Sequence, residues 1–203
     1  VEKMRIRASD VYDPTAPCNA FFGFCFESGA LAGSQNKTQH AAELGLRYKL
    51  SEPWTLIGKL ARSYRFANID EIYEFDSLGS RQFQFLNPQI ANTAEAGAEY
   101  RDAMRHVRAS LFQTDIKDEI HLDVFTSGVG NTNLPPSRRR GLELDGSLKL
   151  SPDFDVTATY AYTEAKFKAG VFPGTFGLLN NVIAGKNVPL VPEHKLNLSA
   201  SWR

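Results

Sequence analysis

Apolar and polar residues alternate one by one in eight stretches of this chain, and the 3.6-residue period of a helix is hard to find in any of them. The first stretch sets Met4, Ile6 and Ala8 against Lys3, Arg5 and Arg7. The second sets Ala42, Leu44, Leu46, Tyr48 and Leu50 against Glu43, Arg47 and Lys49; the third runs from Trp54 through Leu56, Gly58 and Leu60 to Tyr64. The fourth carries Ala94, Ala96, Ala98 and Tyr100 opposite Glu95, Glu99 and Arg101. The fifth begins near His106 with Val107, Ala109 and Leu111, and its register blurs towards Phe125. In the sixth, Leu142, Leu144, Leu148 and Leu150 oppose Glu143, Asp145 and Lys149. The seventh has Phe154, Val156, Ala158, Tyr160 and Tyr162; the eighth has Leu196, Leu198, Ala200 and Trp202. A period of two predicts strands, each with one apolar and one polar face.

Stretches of about 10–14 residues exceed the ~5–6 of ordinary soluble strands and match the ~9–11 needed to cross a bilayer at a tilt. Their connections are lopsided. "SEP", "DAMR" and "SPD" are short turns, whereas about 10–39, 66–92, 126–137 and 167–189 are long and rich in Gly, Asn, Pro and Phe. Alternating short turns and long loops is the habit of an outer-membrane barrel, with the turns periplasmic. Trp54 and Phe154 follow short turns, Tyr48 and Tyr100 precede them, and Trp202 stands where the next would fall. All five occupy apolar faces at one end, the level at which aromatic rings meet lipid head groups. The expected fold is therefore all-β, an antiparallel transmembrane β-barrel with about eight strands in this chain. The rival is a soluble β-sandwich, in which the apolar faces would be a core.

Composition alters this little. The 23 basic and 23 acidic residues cancel, so no global field points to nucleic acid. No stretch approaches the ~18 apolar residues of a membrane helix, which says nothing against a barrel, because half of each barrel strand is polar. The chain opens "VEKMRIRASD" without an apolar leader and stops at "LNLSASWR" within an alternating run, the look of a fragment. Cys18 and Cys25, with six residues between them in "PCNAFFGFCF", suit a small loop disulfide in an oxidising compartment, or else two unpaired loop thiols. His40, His106, His121 and His194 are scattered, which suggests no metal site, and no nucleotide-binding or nucleophile motif occurs, so neither catalysis nor a cofactor is expected.

The order of several short motifs resembles the TonB-dependent outer-membrane receptor family. Tyr64-Arg65-Phe66 leads to Asp70-Glu71-Ile72-Tyr73, then Asn87-Pro88, then the strand from Glu95 to Tyr100. Later come Thr114-Asp115-Ile116-Lys117-Asp118, Arg140-Gly141-Leu142-Glu143 and Pro192-Glu193-His194-Lys195. The likeness runs from about residue 40 to the end. Ala91-Asn92 departs from the family's Pro-Glu pair, and nothing in the chain resembles the plug domain, the TonB-contacting box or the final barrel strand.

The resemblance implies that residues 1–203 are a piece of one 22-stranded receptor barrel in a Gram-negative outer membrane. It implies energised uptake of a scarce ligand, most simply an iron chelate such as a ferric siderophore. The implied partners are outer-membrane lipid, that chelate, and TonB acting through a region not in this chain. Candidate ligand contacts are the loop aromatics and arginines Arg65, Phe66, Tyr73, Arg81, Phe83 and Phe85, with Phe172 and Phe176 in the last long loop, which could stack on and neutralise an anionic chelate. The polar faces, among them Arg47, Glu95, Glu99 and Arg101, would line a wet interior and mostly pair across strands. A complete eight-stranded barrel with an anchoring or adhesive role, and a soluble β-rich binding module, are the alternatives.

Overall fold

The computed structural model describes residues 1–8, 33–75, 81–83, 85–122, 131–173 and 180–202. In chain order its elements are β1 (Glu2–Ala8), β2 (Gly33–Gln39), β3 (Ala42–Lys49), β4 (Trp54–Arg65), α1 (Ile69–Ile72), β5 (Tyr73–Phe75), β6 (Arg81–Phe83), β7 (Gln89–Arg101) and β8 (Arg105–Lys117). There follow β9 (Glu119–Leu122), β10 (Asn131–Leu134), β11 (Ser137–Ser151), β12 (Phe154–Phe167), β13 (Val171–Pro173), β14 (Asn180–Val182) and β15 (His194–Trp202). Seven of these form one antiparallel sheet in the order β15-β12-β11-β8-β7-β4-β3.

The short turns work as their sequences suggest. In "DAMR" the Asp102 carboxylate accepts from the Met104 and Arg105 amides at 2.9 and 2.7 Å and from the Tyr100 hydroxyl at 2.9 Å. These donors, the Met104 amide foremost, lower its pKa to about 2. In "SPD" the pairing of β11 with β12 shifts between Lys149 and Ser151, a bulge that tightens the turn.

The register is staggered. Cross-strand partners lead from Trp54 through Tyr100, Val107 and Gly146 to Ala158. Ala158 lies four residues beyond Phe154, the turn-side aromatic of its own strand, so the sheet slips about one residue per strand. A sheet of tilted strands needs such a slip to close into a barrel.

Among the described residues, nothing covers the apolar face. Leu44, Leu60, Leu111 and Leu198 are 59–70% exposed, and none of the other strands packs a second layer on them. The soluble sandwich and its binding module therefore fail on a simple ground: the face that should be a core meets solvent or lipid. Buried apolar clusters occur instead at the end away from the short turns. Ala67, Ile72, Leu86 and Ile120 form one; Leu134, Ala165, Phe167, Ile183 and Val188 form another.

Three expectations need correction. First, the long stretch 10–39 contains a strand, β2, which pairs with β1 in a separate two-stranded sheet, so the first alternating run lies outside the main sheet. The sequence of β2, "GSQNKTQ", has no apolar face, and only pairing makes it a strand. Second, the fifth run blurs because it breaks. Asp118 takes a left-handed backbone (φ 53°) between β8 and β9, and β9 then pairs with β10. Third, a self-closed eight-stranded barrel would need the first and last runs to pair, but β1 pairs with β2, and β15 with β12. Cys18 and Cys25 lie outside the described residues.

Candidate functional site

The sheet presents two surfaces, and cross-strand register sorts every side chain between them. On the apolar face, Trp54 and Tyr100 meet edge-on at 5.1 Å, and Phe154 and Trp202 at 6.3 Å, so the turn-side aromatics form the expected belt. Further from the turns the same face carries Tyr160, whose hydroxyl lies 2.8 Å from His194 Nδ1.

The opposite face is charged, and its charges pair. Glu95 takes Arg108 at 2.6 Å and Lys59 at 3.2 Å. Glu99 takes Arg47 at 3.0 Å, Arg101 at 3.1 Å and His106 at 3.2 Å. Register sets Lys59 directly opposite Glu95, and Arg108, directly opposite Glu99, reaches diagonally to Glu95. Cross-pairing of inward charges was the expectation; the sequence reading overlooked Lys59, Arg108 and His106, which the same alternation would have revealed.

Glycine marks this face as the concave one. A Cβ on Gly97 would lie 2.4 Å from the Ala109 carbonyl oxygen, and one on Gly141 1.9 Å from that of Tyr162. Neighbouring backbone leans over both positions, as at the glycine kinks that curve a sheet, and the Phe112 ring lies across Gly141.

At the end away from the turns, the loops grow out of the sheet in small, bonded units. The single-turn α1 is closed by a reciprocal cap: the Glu71 amide donates to Asn68 Oδ1, and the Asn68 amide donates to Glu71 Oε2, both at 2.9 Å. Arg65 donates to both Glu71 oxygens at 2.8 Å and to the Ile120 carbonyl at 3.1 Å. Asn133 bridges Asn87 and Asp118, donating to both carbonyls at 2.9 Å. Glu119 holds Arg139 at 2.5 Å beside the buried Ser137 hydroxyl.

The proposed ligand residues fall into two groups. Arg65 is engaged as described, and the Phe66 ring meets Tyr64 edge-on at 5.3 Å. The β5–β6 hairpin sets Tyr73 opposite Phe83 and Phe75 opposite Arg81, and Phe85 follows it, half-buried. Phe172 lies opposite Asn181 in the β13–β14 hairpin, and Phe176 lies outside the described residues. Four strand spacings separate the roots of the two groups in β4 and β12, about 19 Å at ~4.8 Å each. The first group lies in the connection from β4 to β7, whereas Phe172 follows β12. The Asn68–Glu71 cap was missed, although "NIDE" spells the capping pattern.

An open hollow of about 520 Å³ lies on the apolar face, between Leu44, Leu60 and Ala94 with Arg62, Asn92 and Gln113 at its rim. It belongs to the membrane-contacting surface rather than to the loops. No group of three or more metal-ligating side chains occurs among the described residues.

Comparison with known proteins agrees with this geometry. The family profile described as TonB dependent receptor-like, beta-barrel matches residues 22–203. The ferric yersiniabactin uptake receptor FyuA of Yersinia pestis superposes with a TM-score of 0.62 at 18% identity, over 83% of this chain and 24% of that one. The ferric-catecholate import receptor Fiu of E. coli K12 gives 0.61 at 23% identity, over 85% and 23%. The copper transporter OprC gives 0.63 at 18% identity, over 87% and 26%. The chain thus spans about a quarter of the solved structures it resembles.

Proposed function

We propose, from the premise that this chain belongs to the TonB-dependent receptor β-barrel family, that it is part of a receptor that takes up a metal chelate of the ferric-siderophore type. The family places the strands in the outer membrane of a Gram-negative cell, with the apolar face to lipid and the charged face to the lumen. The observation behind the substrate class is the β5–β6 hairpin at the loop end of the sheet, whose pairing sets Tyr73 opposite Phe83 and Phe75 opposite Arg81. Aromatic rings and a guanidinium at the outer mouth offer stacking and charge to an anionic, partly aromatic complex. Two of the solved structures it resembles are receptors for ferric complexes, which supports the same class.

In this reading the lumen need supply no metal ligand, because the iron arrives already chelated. A plug domain elsewhere in the polypeptide gates the lumen, and TonB supplies energy through it. Arg65 holds α1 to β9, which braces the root of the hairpin.

The test is binding of a panel of ferric chelates to the whole receptor, followed by quenching of its tryptophan fluorescence. Arg81→Gln and Tyr73→Ala are expected to weaken the preferred chelate at least tenfold without altering barrel stability. Saturable binding of no ferric chelate, or equal binding by both variants, would overturn the proposal.

A further inference from the structure

Among the described residues, three carboxylates on the lumen side are almost closed off from solvent. Glu119, Glu95 and Glu99 keep only 10–11% of their side-chain surface exposed. Glu119 holds Arg139, Glu95 holds Lys59 and Arg108, and Glu99 holds Arg47, Arg101 and His106. The lysine and arginine side chains in these units stay 29–66% exposed. At each unit the wall hides its anion and shows its cations.

The three units stand at three depths. Cross-strand partners place Arg139 level with Thr114 of β8, Glu95 level with Phe112 and Glu99 level with Arg108. The six residues from Thr114 to Arg108 cover about 20 Å of strand, or about 15 Å of depth at a barrel tilt of ~40°. The successive steps are therefore about 7 and 13 Å along the strand. Bases on the lipid-facing side do not descend in this way: Arg138, Arg140, Lys166 and Lys168 crowd around Asp115 and Glu164 at the loop end. What singles out the lumen units is this descent from the loop end towards the turns. An anion moves along a pore when its sites attract it enough for entry, yet are weak and numerous enough for release. A base already tied to a carboxylate meets the second condition, because the carboxylate competes with the passing anion for its donors.

We infer that Arg139, then Lys59 with Arg108, then Arg47 with Arg101 are successive stations that pass the anionic oxygens of a ferric chelate down the lumen wall. The inference rests on the uptake reading above and adds the route beyond the loop hairpin. Glu119, Glu95 and Glu99 are positioning residues, which aim the bases and moderate their pull.

The experiment uses the whole receptor in cells with a working TonB system. The probes are a radioiron-labelled ferric tris-catecholate and ferric citrate, both anionic. Surface binding is measured without energy, and uptake with it. Lys59→Gln/Glu95→Gln/Arg108→Gln and Arg47→Gln/Glu99→Gln/Arg101→Gln remove base and acid together, so no buried carboxylate is left unpaired. Each is expected to keep surface binding within twofold and to lose at least fivefold in uptake rate. Arg108→Lys and Arg47→Lys/Arg101→Lys keep the charge but lose the guanidinium fork, and their uptake should stay within twofold of wild type. Wild-type uptake by the neutralised variants overturns the stations, as does an equal loss in the charge-keeping ones. Entry of a large antibiotic such as vancomycin into cells with a neutralised variant would mean that these bases hold a plug, and overturns them too. Should the triple variants not reach the membrane, Arg47→Gln alone decides: at least twofold slower uptake is expected, and equal uptake overturns the inference. A wild type that binds neither probe overturns the anionic-chelate reading itself, and the stations with it.

Discussion

Leu111→Arg puts the orientation of the sheet to a direct test. Leu111 lies on the apolar face of β8, four residues from Val107 near the aromatic level and four from Asp115 in the charged band. Four residues are about 13 Å along a strand, or about 10 Å of height at a barrel tilt of ~40°, so the side chain sits near mid-bilayer. Its neighbours across the sheet are Ala96 and Leu142, which offer no partner for a guanidinium. Arginine at that depth costs about 2–4 kcal/mol, falling towards 0–1 kcal/mol near the interface. If the face met water, a residue 64% exposed could be replaced within about 0.5 kcal/mol. The two readings therefore differ in size, not only in detail. Denaturant unfolding of the receptor in phospholipid vesicles, followed by tryptophan fluorescence, measures the difference, with Gln113→Arg as a shallower control. A cost near 3 kcal/mol at Leu111 and a smaller one at Gln113 is expected. A Leu111→Arg cost under 0.5 kcal/mol, or no dependence on depth, would refute the assignment of this face to lipid.

Three further outcomes follow from the same geometry. Glu95→Gln and Arg108→Gln, made singly and together, should show a coupling of about 1 kcal/mol in a double-mutant cycle, because the pair is half-solvated; independent effects would mean that the contact contributes nothing. Gly141→Ala should destabilise the barrel by about 1–3 kcal/mol, since its Cβ would meet the Tyr162 carbonyl, while Gly45→Ala, with open space around it, should stay within about 0.5 kcal/mol; equal costs would disprove the kink. Asp102 has a folded pKa lowered from 3.8 to about 2, so its charge stabilises the turn above pH 4 and that contribution is lost as pH falls from about 4 to about 2. The stability gap between wild type and Asp102→Asn should shrink over that window, and a gap independent of pH would remove the carboxylate from the turn.

The candidate site was legible as chemistry but not as arrangement. Arg65 reads in the sequence as a free cation beside aromatic residues; the fold commits it to Glu71 and the Ile120 carbonyl. Tyr73 and Phe83 read as two aromatics in one loop, and only the pairing of β5 with β6 sets them opposite each other. Phe172 reads as their companion, yet three intervening strands stand between its root and theirs.

What the sequence determined by itself is whatever rests on nearest neighbours along the chain. Side chains one residue apart point to opposite faces of a strand, so alternation settled which residues meet lipid and which meet the lumen, and Trp54, Tyr100 and Phe154 marked one rim. Short turns identified themselves too, because Asp102 caps amides two and three residues on. The tertiary structure decided whatever depends on which strand lies beside which. The polar β2 became a strand only against β1. The inward charges found partners only once the sheet set β4, with Lys59, and β8, with Arg108, on either side of the strand that carries Glu95. The tight space at Gly141 exists only because β12 bends over it. In the short hairpins the turn fixes the register, but across the long loops it is set by backbone hydrogen bonds between residues far apart in sequence, which neighbours along the chain do not specify.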